Sequence, residues 1–261
     1  MPELILLVIA VLVGMISAMI GLGGGFLVVP ILIYFFNVEA HQAIGTSLVM
    51  IVFTGLSATF AYWRQKRLDF LVGILLTIGT VPGAVLGAYL TTLVTARVLT
   101  ALFGVFLVIL ALQFTRKNYV ISPKTGLHRL LVDSKGVEFD YSARVVPGLI
   151  LSFVAGVVSG FFGIGGGAVM VPVMMMVVGL PMHIAVAVSA FIMVFTSISG
   201  ALTHLTLGNV ITEYALYLSL GIVCGTQIGA AMARRLSTSM LQRVFAASLV
   251  VVGLRMILDL L

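Results

Sequence analysis

The chain has 261 residues, of which 61% are hydrophobic and 8% are charged. A soluble domain is about 45–50% apolar and about 25% charged, so this composition excludes a soluble globular enzyme, a disordered chain and a coiled coil. The net charge of +6 does not indicate nucleic-acid binding, because the basic residues lie in short segments between apolar stretches. We therefore expect an integral membrane protein whose solvent is the lipid bilayer, with no nucleic-acid partner.

Eight apolar segments are long enough to cross a bilayer, and two shorter ones follow glycine runs. The long segments are 3–20, 42–62, 70–91, 97–115, 145–162, 183–204, 212–233 and 240–258, and the short ones are 26–36 and 168–178. Runs such as ILLVIAVLV do not alternate apolar and polar residues, so helices are predicted rather than the strands of a barrel. The predicted fold class is all-α integral membrane, with eight long segments and two half-helices.

A long polar segment at 116–144 divides the chain into three parts. Its cations are Arg116, Lys117, Lys124, Arg129, Lys135 and Arg144, and its acids are Asp133, Glu138 and Asp140. We interpret it as a linker on the cytoplasmic membrane surface, with room for a short hairpin. It joins a first transmembrane repeat at 1–115 to a second at 145–261.

The two halves match without a gap when the sequence is shifted by 142 residues. GLGGGFLVVP begins at Gly21 and GIGGGAVMVP begins at Gly163. The same shift pairs Ser17 with Ser159, Ser47 with Ser189, Thr54 with Thr196, and Gly79, Gly83 and Gly87 with Gly221, Gly225 and Gly229. A single register that holds from Gly14 to Leu112 indicates a duplicated helical unit.

The glycine runs decide whether the two copies are parallel or inverted. Segments 3–20 and 26–36 would together make about 44 Å of helix, whereas the hydrocarbon core is about 30 Å thick. We predict that the chain turns back at Gly21–Gly25, so that each copy has a broken hairpin and three full spans and the second copy is inverted. All cations except Arg97 and Arg255 then lie on the linker side, as the positive-inside rule favours, and both termini lie outside.

Each glycine break is predicted to direct a helix N-terminus into the protein interior. Because proline is best tolerated in a first turn, Pro30 predicts that the short helix begins near Leu27 or Val28. Two such N-termini meeting near the midplane would bind an anion without a buried Lys or Arg. The candidate substrate-binding glycines are Gly21, Gly23, Gly24, Gly25, Gly163, Gly165, Gly166 and Gly167. The alternative is that these glycines serve only close helix packing.

Hydroxyl residues on the spans that follow the breaks form the second part of the candidate site. They are Thr46, Ser47, Thr54, Ser189 and Thr196, with Thr226 and Gln227 as extra donors. Ser47 and Thr54 are seven residues apart and share one helix face. The alternative is that each hydroxyl bonds only to the backbone of its own helix.

No cofactor, metal centre or catalytic residue is predicted. The four histidines and Cys224 are scattered, and the glycine runs lack the Lys-Ser/Thr of a phosphate loop. The glycines that recur every fourth residue, from Gly79 to Gly87 and from Gly221 to Gly229, are assigned to helix packing. No carboxylate lies in the middle of a span, so no coupling ion is assigned.

The paired GLGGGFLVVP and GIGGGAVMVP motifs, the following AIGTS with its weaker copy AVAVS, and the two four-segment halves resemble the TauE/SafE sulfite-exporter family. The resemblance covers the chain apart from the central linker. It implies a transporter, not an enzyme, that moves sulfite, organosulfonates such as sulfoacetate and other organosulfur anions across the inner membrane of a bacterium or archaeon. We expect export of such a small anion. An importer and a passive anion channel are the alternatives, and a homodimer stays open. The second copy has Ala187-Val188 where the first has Gly45-Thr46.

Overall fold

The computed structural model describes residues 2–20, 22–115, 125–232 and 249–258, most of which are helical. The first half contains α1 (Pro2–Ile20), α2 (Gly25–Phe36), α3 (Ala40–Arg64), α4 (Phe70–Leu90), a 3₁₀ turn (Thr91–Leu93) and α5 (Ala96–Thr115). The second half contains α6 (Val145–Phe162), α7 (Gly167–Val173), a π-helical turn (Met174–Val178), α8 (Met182–Thr206), α9 (Thr212–Met232) and α10 (Leu249–Leu258). Strands β1 (Leu127–Val132) and β2 (Glu138–Ala143) lie between the two halves.

Six of these helices are long and apolar enough to cross a membrane. They are Ala40–Arg64, Phe70–Leu93, Ala96–Gln113, Val145–Phe162, Met182–Thr206 and Thr212–Met232. The predicted all-α membrane class is therefore confirmed, and six of the eight predicted long segments are span-length helices. The last predicted span is described only from Leu249, the linker only from residue 125, and Gly21 lies outside the described residues.

The elements of the two halves correspond under the 142-residue shift that the sequence shows. Helices α3 and α8 each have 25 residues and α4 and α9 each have 21, and the bounds of each pair differ by that shift. The longest helix contacts run between the halves, where α1 packs on α9 and α4 packs on α6. The duplication is thus visible in the element boundaries as well as in the sequence.

Glycines make the closest of these contacts, as the spacing of the small residues predicts. Gly221 lies against the carbonyl oxygen of Leu7 in α1, and Gly229 lies against that of Met15. On the other side of the bundle, Gly83 lies against the carbonyl oxygen of Phe153 in α6. A side chain at these glycines would meet backbone rather than a movable side chain, which explains why only glycine fits there.

The contacts also give the relative directions of the helices. Positions increase together from Leu7–Gly221 to Met15–Gly229, so α1 and α9 run parallel. Gly55 instead packs on Val194, whereas Gly200 packs on Leu48, so α3 and α8 run antiparallel. The third span of the second copy, α9, therefore runs parallel to the first span of the first copy, α1. The two second spans, α3 and α8, run antiparallel to each other.

The chain reverses direction at each glycine run. Phe36 at the end of α2 packs on Tyr214 at the start of α9, with ring centroids 5.7 Å apart. Because α9 runs parallel to α1, this contact places the end of α2 at the level where α1 begins. In the second copy the N–H of Arg144, just before α6, donates to the carbonyl of Val178 at 2.9 Å, so that hairpin closes in the same way.

The short helices begin earlier than the prolines predict. Helix α2 begins at Gly25 and α7 at Gly167, so Pro30 and Pro172 each lie in the second turn. The expectation of a start near Leu27 or Val28 is therefore wrong. The left-handed glycine before each helix sets the start, and a buried membrane helix tolerates proline through local adjustment. The π-helical turn that directly follows α7 is such an adjustment.

The β-hairpin is attached to the loop between α3 and α4 by buried ion pairs. Asp69, fully buried, caps α4 by accepting hydrogen bonds from the N–H groups of Leu71 and Val72. The same carboxylate accepts a hydrogen bond from Arg129 Nε at 2.8 Å and another from the Tyr141 hydroxyl at 2.8 Å. One buried carboxylate therefore joins the hairpin to the start of a membrane span.

A second buried pair completes this attachment. Arg67 donates to Asp133 Oδ2 at 2.9 Å, and Asp133 also accepts from the N–H groups of Lys135 and Val137. Burial by itself would raise the pKa of Asp133, but these hydrogen bonds outweigh burial and lower its pKa to about 2. Burial also raises the pKa of Tyr141, and its hydrogen bond to the carboxylate acts in the same direction. Both groups therefore keep their charge states across the neutral range.

The opposite end of the bundle is closed by a different contact. Thr46 Oγ1 accepts a hydrogen bond from the N–H of Ile211 at 3.0 Å, and Gly45 lies against the carbonyl oxygen of Asn209. The start of α3 thereby holds the loop between α8 and α9. The second copy has Ala187-Val188 at the corresponding positions, and there the hairpin holds the equivalent loop instead. This gives the departure from the repeat a structural reason.

Candidate functional site

The two glycine breaks lie against each other in the middle of the bundle. Gly25 lies against the carbonyl oxygen of Gly163, and a Cβ on Gly23 would be 3.2 Å from the carbonyl oxygen of Ile164. Both contacts are between backbone atoms, which requires the absence of side chains on the glycines. The starts of α2 and α7 are therefore brought close together within the protein, as the candidate site requires.

Left-handed glycines form each break and begin each short helix. Gly24 precedes α2 with φ 91° and Gly166 precedes α7 with φ 84°, and neither helix start has a side-chain cap. Gly23, Gly163 and Gly165 also have positive φ values, whereas Gly25 and Gly167 are the first helical residues. The first N–H groups of any α-helix have no partner within that helix, so each break presents a helix N-terminus to its surroundings.

Apolar side chains lie beside the backbone contact between the two breaks. Ile51 and Met193 are related by the 142-residue shift, and both are buried. A Cβ on Gly165 would be 2.9 Å from Met193 Cγ, and a Cβ on Gly23 would be 3.4 Å from Ile51 Cγ2. Each break is therefore a separate half-site, and Ile51 and Met193 form an apolar partition beside the contact between them.

Each half-site contains a buried serine from the helix before the break. Ser17 Oγ lies 2.7 Å from the position of a Cβ on Gly24, and Ser159 Oγ lies 3.7 Å from that of a Cβ on Gly166. Ser17 is 1% exposed and Ser159 is 0% exposed, and neither hydroxyl has a hydrogen-bond partner in the part of the chain that the structure describes. Buried hydroxyls are normally paired, so these two point to a ligand or water at each break.

Sequence reasoning found this serine pair but did not assign it to the site. Ser17 and Ser159 are paired by the 142-residue shift, as are Ser47 and Ser189. Their place on the spans before the breaks made them indistinguishable from packing residues. The repeat was the available signal, because a hydroxyl kept at both copies' breaks is consistent with a role at both.

Two of the predicted hydroxyl residues hold the backbone around the breaks. Ser47 Oγ lies 2.7 Å from the carbonyl oxygen of Ile44 and 2.8 Å from that of Gly163, so it joins α3 to the second break. Thr46 holds the loop before α9, as described above. In this arrangement Ser47 positions the break, and its proton is directed at carbonyl oxygens.

The other three hydroxyl residues bond within their own helices. Thr54 donates to Met50 at 3.3 Å, Ser189 to Val186 at 2.8 Å, and Thr196 to Ile192 at 2.9 Å. Thr196 also lies 2.9 Å from the hydroxyl of Thr80, and its methyl group is 3.7 Å from the position of a Cβ on Gly166. Thr196 therefore borders the second half-site directly.

The electrostatic character of the half-sites comes from the backbone. The buried carboxylates of the described residues, Asp69 and Asp133, both lie at the hairpin attachment. With no buried charge described beside the glycines, a helix N-terminus and a hydroxyl are what each half-site offers to a ligand. Both favour an anion.

Equivalent contacts close the two hairpins at opposite ends of the bundle. The Tyr62 hydroxyl donates to the carbonyl of Ala18 at 2.8 Å, and His204 Nε2 lies 3.2 Å from the carbonyl oxygen of Gly160. Both members of each contact correspond under the 142-residue shift. The carbonyl group of each contact belongs to the residue that directly follows the serine, so each half-site has a polar closure next to its serine.

These features define a multi-pass helical membrane protein with a glycine break before a short helix in each half. The family model described as Sulfite exporter TauE/SafE matches residues 6–256. The chain belongs to this family, and it is a membrane transporter of the TauE/SafE type.

Relatives with similar names cover nearly the whole chain. The "Probable membrane transporter protein YunE" of Bacillus subtilis (strain 168) is 35% identical over 99% of this chain and 98% of its own length. A "Probable membrane transporter protein" of Methanocaldococcus jannaschii is 26% identical over 97% of this chain and 95% of its own. The "Probable membrane transporter protein YdhB" of Bacillus subtilis (strain 168) is 25% identical over 87% of this chain and 89% of its own length. No solved structure matches the chain.

Proposed function

We propose that this protein is a secondary transporter that exports a small sulfur-containing anion, sulfite or an organosulfonate such as sulfoacetate, across the plasma membrane. The observation that carries this proposal is the repeated half-site, with a buried unpartnered serine hydroxyl beside the left-handed glycine of a helix N-terminus. A sulfur oxyanion accepts several hydrogen bonds and needs a positive potential, and each half-site supplies both. The family to which the chain belongs supports the choice of sulfur oxyanions.

The proposed topology is an inverted repeat with the linker in the cytoplasm and the termini outside. It is supported by the antiparallel packing of α3 on α8 together with the parallel packing of α1 on α9, because two parallel copies would orient α3 and α8 alike. It is also supported by the cation distribution, in which Arg97 and Arg255 alone fall on the outer side. Inverted repeats with broken helices are typical of secondary transporters.

The proposed path passes through the two half-sites in turn. The anion enters from the linker side to the half-site at Ser17 and Gly24, passes the partition of Ile51 and Met193, and leaves by the half-site at Ser159. The closures at Tyr62 and His204 open alternately, so that the two sides are not connected at once. The same proposed site includes the glycines that shape the breaks, which are Gly23, Gly25, Gly163, Gly165 and Gly167. It also includes the hydroxyl residues Thr54, Ser189 and Thr196. Gly21 lies outside the described residues and is included in the proposed site on the basis of the sequence.

The serine pair gives the direct test of this function. Ser17→Ala and Ser159→Ala should each weaken binding of sulfite or sulfoacetate by about 1.5–3 kcal/mol, or more than tenfold in Kd, because a hydrogen bond to a charged group is lost. Binding is measured on purified protein, and flux is measured in liposomes with sulfate and chloride as competitors. The matched control is Ser152→Ala, a buried serine of α6 that bonds to Leu149 in its own helix.

The same preparation separates the proposed carrier from other functions. A carrier saturates and exchanges labelled anion across the membrane faster when unlabelled anion is present on the far side. Flux that rises without saturation, with no such acceleration, would show a passive channel instead. Parent-like binding in both serine variants would remove the half-sites from the mechanism.

A further inference from the structure

A cavity on the linker side of the bundle is lined by two cations that form no ion pair with a described acid. It has a volume of about 600 Å³ and lies between the end of α3, the turn of the β-hairpin and the end of α9. We call it the linker-side vestibule, and the lining residues that matter here are Arg64, Gln65, Ser134, Lys135, Gln227 and Ala230. It is distinct from the half-sites, since none of the break glycines is among its lining residues.

The vestibule has an uncompensated positive charge. Arg64 and Lys135 are both exposed, and neither forms an ion pair with an acid of the described residues. The nearest hairpin carboxylate, Asp133, is buried and already paired with Arg67. Two cations on facing elements, with no unpaired acid described beside them, concentrate anions from solution.

A buried carboxamide in the same lining also lacks a partner. Gln65 is 5% exposed, and its Oε1 atom has no hydrogen-bond donor in the described part of the chain. The backbone of Gln65 is fixed, because its carbonyl accepts a hydrogen bond from Ser134 at 3.0 Å. Because an amide oxygen only accepts hydrogen bonds, a donor such as a bound water in the vestibule would satisfy this atom.

The vestibule lies directly beneath the first half-site. Its floor is formed by Ala61 and Ala230, which pack with Ala18 of α1, the next residue after Ser17. Ile222, which lies 3.6 Å from the position of a Cβ on Gly24, is eight residues before Ala230 in α9, or about 12 Å along the helix. The distance from vestibule to half-site is therefore about two helix turns.

A polar contact lies at the edge of the vestibule, three residues before Ala230 in α9. Gln227 Nε2 donates to the carbonyl of Ser57 at 2.9 Å and to its hydroxyl at 2.8 Å. This contact joins α3 to α9 at a level between Ile222 and Ala230. An anion that moved from the vestibule to the half-site would exchange hydrogen bonds with Gln227 and Ser57 on its way.

We propose that the linker-side vestibule is the loading site at which the protein collects its anionic substrate from the cytoplasm, and that it selects dianions such as sulfoacetate over monovalent anions. This proposal rests on the proposed function of the half-sites. Each of the two cations attracts each negative group of the ligand, so the vestibule favours a ligand with two negative groups. Arg64 and Lys135 are the specificity-determining residues.

Removal of the two cations tests the vestibule. In the double variant Arg64→Gln/Lys135→Gln, the KM for sulfoacetate supplied from the linker side should rise about tenfold or more, with an unchanged maximal rate. Chloride competition should change less than sulfoacetate transport. The matched control is Lys66→Gln, which removes one cation on the same side of the membrane but outside the vestibule lining.

The lipid composition distinguishes a soluble substrate from a lipid headgroup, which carries the same oxyanion chemistry. The rise in KM should occur in vesicles of phosphatidylcholine alone. A rise confined to vesicles with anionic lipid would assign the cations to headgroup binding and overturn the proposal. An unchanged KM in the double variant, or an equal rise in Lys66→Gln, would overturn it as well.

A binding measurement keeps the test separate from the transport function. In a Cys224→Ser background, Ala231→Cys places a thiol in the exposed vestibule lining. Sulfoacetate should slow its reaction with a thiol reagent, and the double variant should lose this protection. Parent protein that transports no sulfur anion overturns the proposed function, whereas an unprotected thiol at position 231 overturns the vestibule.

Discussion

Gly166 is the residue at which a ligand site and a packing role can be distinguished. Its φ of 84° is left-handed, but the atoms nearest to a Cβ at this position are 3.7 Å away, at ordinary contact distance. Gly24 differs, because a Cβ there would be 2.7 Å from Ser17 Oγ and 2.9 Å from Val13 Cγ1. Substitution of Gly166 therefore changes the second half-site without a steric collision.

Gly166→Ala should abolish or strongly reduce anion binding while the protein still folds and inserts. The added methyl group enters the space in which the ligand meets the helix N-terminus, and the left-handed conformation costs about 1–2 kcal/mol. The measurement is anion binding together with thermal unfolding of the purified protein. Gly208→Ala is the matched control, since Gly208 has φ 73° and no atom within 4 Å of its Cβ position.

A different outcome for this pair would change the interpretation of the breaks. If Gly166→Ala binds sulfite and sulfoacetate like the parent while Gly208→Ala also behaves like the parent, the helix N-terminus does not contact the ligand. Gly83→Ala should in any case reduce stability or yield, because it meets the backbone of α6 at Phe153.

At the scale of elements, the hairpin acts as a brace on the linker side of the bundle. It fixes the loop between α3 and α4 through Asp69–Arg129 and Arg67–Asp133, and it forms one wall of the vestibule through Lys135. The equivalent loop on the outer side, between α8 and α9, is held by Thr46 of the AIGTS motif. The second copy of the motif, AVAVS, has Val188 at that position. The two ends of the bundle therefore have different closures although the spans are duplicated.

Arg129→Ala should lower the stability of the linker-side end by about 3–5 kcal/mol, because it leaves the buried Asp69 carboxylate without its charged partner. Thermal unfolding and proteolysis of the hairpin measure the change. Arg144→Ala removes a cation of the same segment that forms no ion pair among the described residues, and it should have little effect. Equal losses in the two variants would show that the hairpin is not held by the ion pair.

The pKa of Asp133 makes the pH dependence of this attachment specific. Its folded-state pKa of about 2 lies below the ordinary aspartate pKa of 3.8, so the ionised carboxylate stabilises the folded state above about pH 4. This contribution is lost as the pH falls from about 4 through 2, and it is constant at neutral pH. Asp133→Asn should abolish that acid-dependent step in thermal stability, whereas an unchanged acid profile would assign the step to other carboxylates.

At the scale of the whole molecule, the duplicated unit places one proposed half-site in each half of the transporter. The serine, the left-handed glycine and the polar closure recur at both breaks, and Ile51 and Met193 lie beside the contact between them. Since the second spans oppose each other, one half-site belongs to each side of the membrane in the proposed topology.

Labelling of single cysteines tests this arrangement. In a Cys224→Ser background, Lys66→Cys and Asp140→Cys should react with a membrane-impermeant thiol reagent only from the cytoplasm. Glu39→Cys, in the exposed loop between α2 and α3, should react only from outside. Reaction of Glu39→Cys and Asp140→Cys from the same face would contradict the hairpins and the inversion.

The sequence by itself determined the membrane class, the duplication and the positions of the breaks. Apolar length and glycine spacing are local properties, and the bilayer leaves helices as the solution for such segments. The fit of Gly221 and Gly83 against neighbouring backbones also followed from their spacing, because every fourth residue shares a helix face.

Only the tertiary structure decided which hydroxyls face the breaks and which positions are apolar. Ser17, Ser47 and Thr54 look alike in the sequence, yet Ser47 holds a carbonyl, Thr54 bonds within its helix, and Ser17 is left buried without a described partner. Contacts between distant segments also place Ile51 and Met193 beside the two breaks. Such contacts likewise place Arg64 and Lys135 in the lining of one cavity. Hydrogen-bond partners and burial depend on the packing of whole helices against each other, which local sequence patterns do not encode.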